Sequence, residues 1–95
     1  MNKEYRIQQT SKFKKKLKLM IKRRLPIDEL REVITKLQHD IPLPEKYHDH
    51  ELRGDRNGIR ECHIQNDWLL EYKKNEKTLI LILIDTGSHS DLFKK

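Results

Sequence analysis

Leu79 to Ile84 form an unbroken apolar run, LILILI, in a 95-residue chain that is 38% charged. A strand with one face in water alternates apolar and polar side chains, so this run predicts a strand covered on both faces, at the middle of a sheet. A chain of this length buries roughly two thirds of its unfolded surface and has material for one core only. Residues 1–95 are therefore expected to form a single domain with one sheet, helices packed on it and a heavily charged surface.

The other elements follow from periodicity. Residues 3–8 alternate, with Tyr5 and Ile7 on one face, as a half-buried strand does. Thr10 or Ser11 offers an N-cap, and Phe13, Leu17, Met20 and Ile21 form the stripe of a helix running to about Arg24. Leu25-Pro26 breaks that helix, because a residue before proline disfavours helical geometry. Asp28 and Glu29 suit the positive end of a second helix, whose stripe is Leu30, Val33, Ile34 and Leu37 and which ends before Pro42. Residues 41–58 read as a long loop, a feature that is often functional. Strands are predicted over 59–65, 68–73 and 77–85, the first two joined at Asn66-Asp67, with a last turn at Asp91-Leu92-Phe93. The order is β-α-α-β-β-β: an α+β fold in which a helical hairpin covers one face of an antiparallel sheet and leaves the other partly open.

Charge is distributed unevenly. Residues 1–24 carry ten Lys/Arg against Glu4 alone, whereas the remainder is net acidic. Such a basic block favours polyanions or an acidic protein partner. Cys62 is the only cysteine, which excludes an intrachain disulfide and a thiolate zinc cluster and fits a reducing compartment. The apolar run is too short to span a bilayer, and no signal-peptide core stands at the N-terminus, so a soluble cytoplasmic protein is expected.

Chemistry concentrates between His50 and Tyr72, in HELRGDRNGIRECHIQNDWLLEY, and in the tail TGSHSDLF. His50, His63, Asp67 and His89 are the groups suited to proton transfer near neutral pH. His63 and Asp67 flank a tight turn, His50 lies on the preceding loop, and His89 follows the long strand, so a meander allows them to converge. Metal-independent RNA cleavage needs a base for the 2′-hydroxyl, an acid for the 5′-oxygen and positive charge for the phosphorane. All three types are present. Trp68 or Phe93 could stack an unpaired base, a contact worth about 1–3 kcal/mol, although Trp68 shares a strand face with Leu70 and Tyr72 and suits the core better. A metal site on His48, Asp49, His50 and His63 would be a weak use of an HxH pair, and neither a phosphate-binding glycine loop nor a serine-hydrolase elbow is present. No cofactor is expected.

PLPEKYHDHELRG, GIRECH, DWLLEY and TGSHSDLF, in that order and spacing, resemble the YafQ branch of the RelE/ParE superfamily of bacterial type II toxins. The resemblance covers almost the whole chain, and its RelE-like fold has the same β-α-α-β-β-β order. It implies a ribosome-dependent endoribonuclease, an mRNA interferase, that cuts mRNA in the 30S A site and is held inactive by an acidic antitoxin; the unbound chain is expected to be a monomer. It carries the catalytic roles onto His50, His63, Asp67 and His89, with Trp68 and Phe93 supporting. His50, His63 and Asp67 take the base and phosphate-positioning work, and His89 donates a proton to the leaving oxygen.

One position departs from the pattern. Two residues before Gly87, where such toxins commonly carry arginine, stands Asp85, which would repel a phosphate. Arg53 or Arg56 on the loop could supply the missing charge; Arg60 lies on the opposite strand parity from His63 and suits a structural role. Lys14, Lys15 and Lys18 on the first helix would grip RNA backbone. The rival readings are a ParE-like toxin that inhibits a protein target such as gyrase, and a non-catalytic nucleic-acid-binding module.

Overall fold

The structure is a computed structural model that describes residues 3–56 and 58–93, with the Phe93 side chain outside the description. The elements are β1 (Arg6–Gln9), α1 (Ser11–Lys22), α2 (Ile27–Gln38), β2 (His50–Glu51), β3 (Arg60–Gln65), β4 (Trp68–Asn75), β5 (Ile80–Gly87) and α3 (His89–Phe93), with 3-10 turns at Glu45–Tyr47 and Gly54–Arg56. The α+β order expected from periodicity is present. Two features extend it. A two-residue strand, β2, forms inside the expected loop, and β1 pairs with β5 in parallel, so the sheet is mostly rather than wholly antiparallel. Strand order is β1-β5-β4-β3-β2.

The LILILI run lies inside the sheet between β1 and β4, one strand from the edge. Leu81 and Leu83 are fully buried, while Ile80, Ile82 and Ile84 are half-buried, so one face is sealed and the other only partly covered. Leu79 stands before the strand with a left-handed φ of 55°.

Both helices are built as their sequences require. Thr10 caps α1 by accepting from the Phe13 N–H at 3.0 Å, and its hydroxyl donates to the Ile84 carbonyl at 2.7 Å, tying the helix start to β5. Phe13 and Met20 are buried with Leu17 against them; Ile21, expected in the same stripe, is 53% exposed. It lies one residue, roughly 100°, around the helix from Met20 and falls outside the buried stripe. In α2, Leu30, Val33 and Leu37 are buried, and Asp28 and Glu29 occupy the first turn.

The helices and one sheet face share a core of Cys62, Ile64, Trp68, Leu70, Tyr72, Leu81 and Leu83 with the helical residues. Alternation sends Glu61, His63, Leu69 and Glu71 to the opposite face. By the same alternation Asp85 would follow Leu81 and Leu83 into the core. A bulge prevents this: Tyr72 pairs with Leu83 but Glu71 with Asp85, so Ile84 is an extra residue in β5. The bulge puts Asp85 beside Glu71 and sends Thr86 inward. There Thr86 accepts from the Trp68 indole N–H at 2.9 Å and donates to the Leu69 carbonyl at 2.7 Å.

Candidate active site

Two successive rungs of the sheet build the site. The first pairs His63 with Leu69 and Leu69 with Gly87; the second pairs His50 with Glu61, Glu61 with Glu71, and Glu71 with Asp85. Gly87 leads directly into α3, so His89 arrives beside His63. Their ring centroids are 5.7 Å apart and edge to face, and the His48 ring meets His63 in the same way at 5.4 Å. Asp67, in the β3–β4 turn, accepts through Oδ1 from both the His89 backbone N–H at 2.9 Å and Nδ1 at 2.7 Å.

Electrostatics distinguishes these groups. Burial holds the His63 pKa below the ordinary histidine value, and the neighbouring His48, His89 and His50 push it further down against the pull of Glu61. Asp67 is held below the usual carboxylate value, chiefly by the His89 backbone N–H and then by its ring. A neutral imidazole and an ionised carboxylate oriented on a second imidazole therefore lie side by side. His50 is turned differently: Nδ1 donates to the His48 carbonyl at 2.7 Å, and Nε2 stands 3.5 Å from Glu61 Oε1.

The second rung is a row of buried carboxylates. Glu61, Glu71 and Asp85 are 4%, 1% and 2% exposed, which carboxylates reach only when paired. Arg56 binds Glu71, while Lys12 and Lys16 reach Asp85 at 3.4 and 3.5 Å. Asp85 Oδ1 also accepts from the Thr86 N–H at 2.8 Å. Burial raises the Glu71 pKa despite Arg56, and neighbouring Asp85 and Glu61 add to the rise. Glu61 Oε2 and Glu71 Oε2 are buried without a hydrogen-bond partner.

Loops are pinned around this row. Asp49 accepts from the Tyr72 hydroxyl at 2.5 Å and from Arg60 at 3.1 Å, which anchors the segment carrying His48 and His50. His48 itself has a left-handed φ of 48°, an uncommon state for a residue with a Cβ. On the other side, Asp91 Oδ2 accepts from Ser88 N–H and from Arg23, both at 2.9 Å, fastening α3 to the end of α1. These bonds, the Arg23 one foremost, bring the Asp91 pKa down to about 2. At Gly87, φ is 154° and a Cβ would stand 2.8 Å from that of Asp91, so the chain turns there only without a side chain.

Of the groups anticipated from sequence, His63, Asp67 and His89 are brought together. His50 lies one rung away, facing Glu61, yet close enough to influence His63. Arg56 pairs with Glu71 on the carboxylate row, Asp85 takes its cations from Lys12 and Lys16, and Arg53 is exposed on the loop. Arg60 is committed to Asp49 and stands on the core parity of β3. Trp68 is 2% exposed with its N–H already bonded, so it anchors the sheet instead of offering a surface for base stacking. Lys14, Lys15 and Lys18 are exposed on α1. The Phe93 side chain, expected as a supporting group, lies outside the described residues. His48, weighed from sequence only as a metal ligand, joins the site, as do Lys12, Lys16 and the carboxylates Glu61 and Glu71, which were not anticipated. Among the described residues, no group of three or more His, Cys, Asp or Glu is placed to hold a metal ion.

The family model for the YafQ bacterial toxins of type II toxin-antitoxin systems matches residues 5–94. The chain belongs to the YafQ toxin family. The mRNA interferase toxin YafQ of Escherichia coli strain K12 is 36% identical over 88 residues, covering 92% of this chain and 94% of that protein. The crystal structure of YafQ from E. coli BL21(DE3) superposes with a TM-score of 0.87 at 33% identity, covering 95% and 99% of the two chains. The toxin in the E. coli DinJ-YafQ toxin-antitoxin complex gives 0.87 at 34%, covering 95% and 98%. YafQ-family membership accounts for the RelE-like architecture found here, and the site described above occupies the open face of that architecture.

Proposed function

We propose that the chain is the toxin of a type II toxin-antitoxin pair and cleaves mRNA in the ribosomal A site. The observation that carries this reading is the array of His63, His89 and Asp67 on the open face of the sheet. His63, kept neutral, accepts the proton of the 2′-hydroxyl as its oxygen attacks phosphorus. The bond from phosphorus to the 5′-oxygen breaks, and His89 supplies the proton that this oxygen takes up. The products are a 2′,3′-cyclic phosphate and a 5′-hydroxyl, and no metal takes part. Asp67 orients His89 and stabilises its ring in the protonated form that gives up the proton. Arg56 lends positive charge to the phosphorane, a term that is often the largest in such reactions.

The relatives named as mRNA interferases support the substrate, and the complex with DinJ supports an antitoxin partner; the lysine-rich α1 suits an acidic one. Among the described residues no helix is long and apolar enough to cross a membrane. A cytoplasmic protein, monomeric until its antitoxin binds, fits this reading.

The test is cleavage of a defined message by the purified protein, with and without translating ribosomes. Cutting only with ribosomes, abolished in His63→Ala and His89→Ala, is the expected result. Cutting without ribosomes would reject ribosome dependence. Growth arrest that persists in both variants, with no cleaved message, would replace this reading with inhibition of a protein target such as gyrase.

A further inference from the structure

Beside His63 the surface opens into a recess of ≈ 230 Å³, walled by His48 and His63 and rimmed by Glu29, Lys46, Gln65 and Asn66. Its size suits one planar group, since drug-sized ligands fill roughly 300 Å³ or more. His63 is shared between this recess and the proton-transfer array, so a phosphate held at the array directs an adjoining nucleotide into it.

We propose that the recess binds the nucleobase next to the scissile phosphate and prefers guanine. This rests on the nuclease reading above. Protein sites read single-stranded RNA by splaying a base out and bonding its Watson–Crick edge. Gln65 Nε2 donates to Glu29 Oε2 at 2.7 Å across the gap between β3 and α2, which fixes the carboxylate at the rim. An ionised carboxylate only accepts, and one N–H does not exhaust its capacity. Guanine presents two adjacent N–H donors, at N1 and at the exocyclic N2, in the fork that a carboxylate matches. Adenine, cytosine and uracil each present an N–H beside an acceptor, which the carboxylate repels. Lys46 adds a donor for the guanine O6. The His48 ring, held by its left-handed backbone and edge-on to His63, supplies an aromatic wall. Glu29 and Gln65 are both exposed, so the core does not depend on their pairing.

The experiment has two arms, each run with the full chain, Glu29→Gln and Gln65→Ala. In the first, uncleavable 2′-O-methyl oligoribonucleotides carrying G, A, C or U at one central position are titrated and followed by fluorescence anisotropy. In the second, 5′ ends of cleaved messages are mapped after induction in cells. The wild type is expected to favour guanine by roughly tenfold, within the range for one bidentate base contact, and both variants to lose that bias while still cutting. Equal binding of all four bases by the wild type, or a guanine bias unchanged in both variants, overturns the proposal and leaves the nuclease reading intact. A guanine bias in binding without any cleaved message supports the recess and overturns the nuclease reading instead.

Discussion

His89 meets one oxygen of Asp67 twice, through its backbone N–H at 2.9 Å and through ring Nδ1 at 2.7 Å. An ionised carboxylate accepts only, so Nδ1 carries a proton and, in the proposed reaction, Nε2 is the atom that exchanges one with substrate. Asp67→Asn removes the charge and lets the amide turn its NH₂ toward the ring, which favours the other tautomer. The expected outcome is a fall in kcat of roughly 10²- to 10⁴-fold with little change in KM. Single-turnover cleavage on programmed ribosomes measures it, and an unchanged kcat would remove Asp67 from the proton-transfer set.

His63 is depressed by burial and by neighbouring imidazoles, and so it should remain neutral to a lower pH than an ordinary histidine. The groups facing it are His48, His50, Glu61 and His89. Taking away His48 removes the largest of the three charge effects that lower it. In His48→Gln the acid limb of the cleavage profile is expected to move to higher pH, and NMR titration of the His63 ring should move with it. The sign for stability follows the same linkage. Between the lowered folded value and the ordinary value near 6.5, the unfolded chain binds more protons, so this group makes stability rise with pH across that window. A His63 titration unmoved by His48→Gln would contradict the contact seen here.

Asp85 is held by Lys12 and Lys16 and by the Thr86 N–H. Removing its side chain strands that N–H and leaves two lysines facing a void. Lys12 is 66% exposed and its share is screened. Asp85→Ala should therefore cost about 2–3 kcal/mol in urea denaturation. Asp85→Arg, which restores the residue expected from family resemblance, should cost more here because it meets two lysines. Adding Lys16→Glu should recover part of the loss. If Asp85→Arg is tolerated with both lysines in place, the ion pairs are not what holds this turn.

Arg23 reaches across from the end of α1 to Asp91 and so sets how firmly α3 carries His89. Arg23→Ala should lower stability only slightly at neutral pH, since the pair is largely solvated. It should also speed hydrogen exchange at the Ser88 and His89 amides. Asp91 has its folded pKa lowered to about 2, so its contribution is present above the ordinary carboxylate value and is lost as pH falls toward 2. The variant should therefore show a shallower loss of stability in acid. Unchanged exchange would show that α3 is held without this strap.

Local patterns in the sequence carried much of this architecture. LILILI marked a strand inside the sheet, although one of its faces proves only partly covered, and Pro26 divided the helices. The parallel partnership of β1 and β5 was not legible, since alternation reports which face a residue takes and not which strand lies beside it. β2 spans two residues and exists only through its pairing with β3. His63, Asp67 and His89 could be picked out by their chemistry, but His48 looked like one half of an exposed HxH pair until the loop turned it onto His63. The carboxylate row was hidden for a further reason. Glu61 and Glu71 occupy polar positions of alternating strands and so look solvated, and Asp85 joins them only because Ile84 is bulged.

The pairing of β1 with β5 also governs when the protein becomes itself during synthesis. Thr10 waits for Ile84 across 74 residues, and Arg6 for Ile80, so the earliest strand made has no partner until nearly the latest has left the ribosome. Contacts so distant along the chain close slowly and last. His89 follows that same strand. A nascent chain therefore cannot bring His63, Asp67 and His89 together before that strand has emerged, and the sheet and the array are completed by one event.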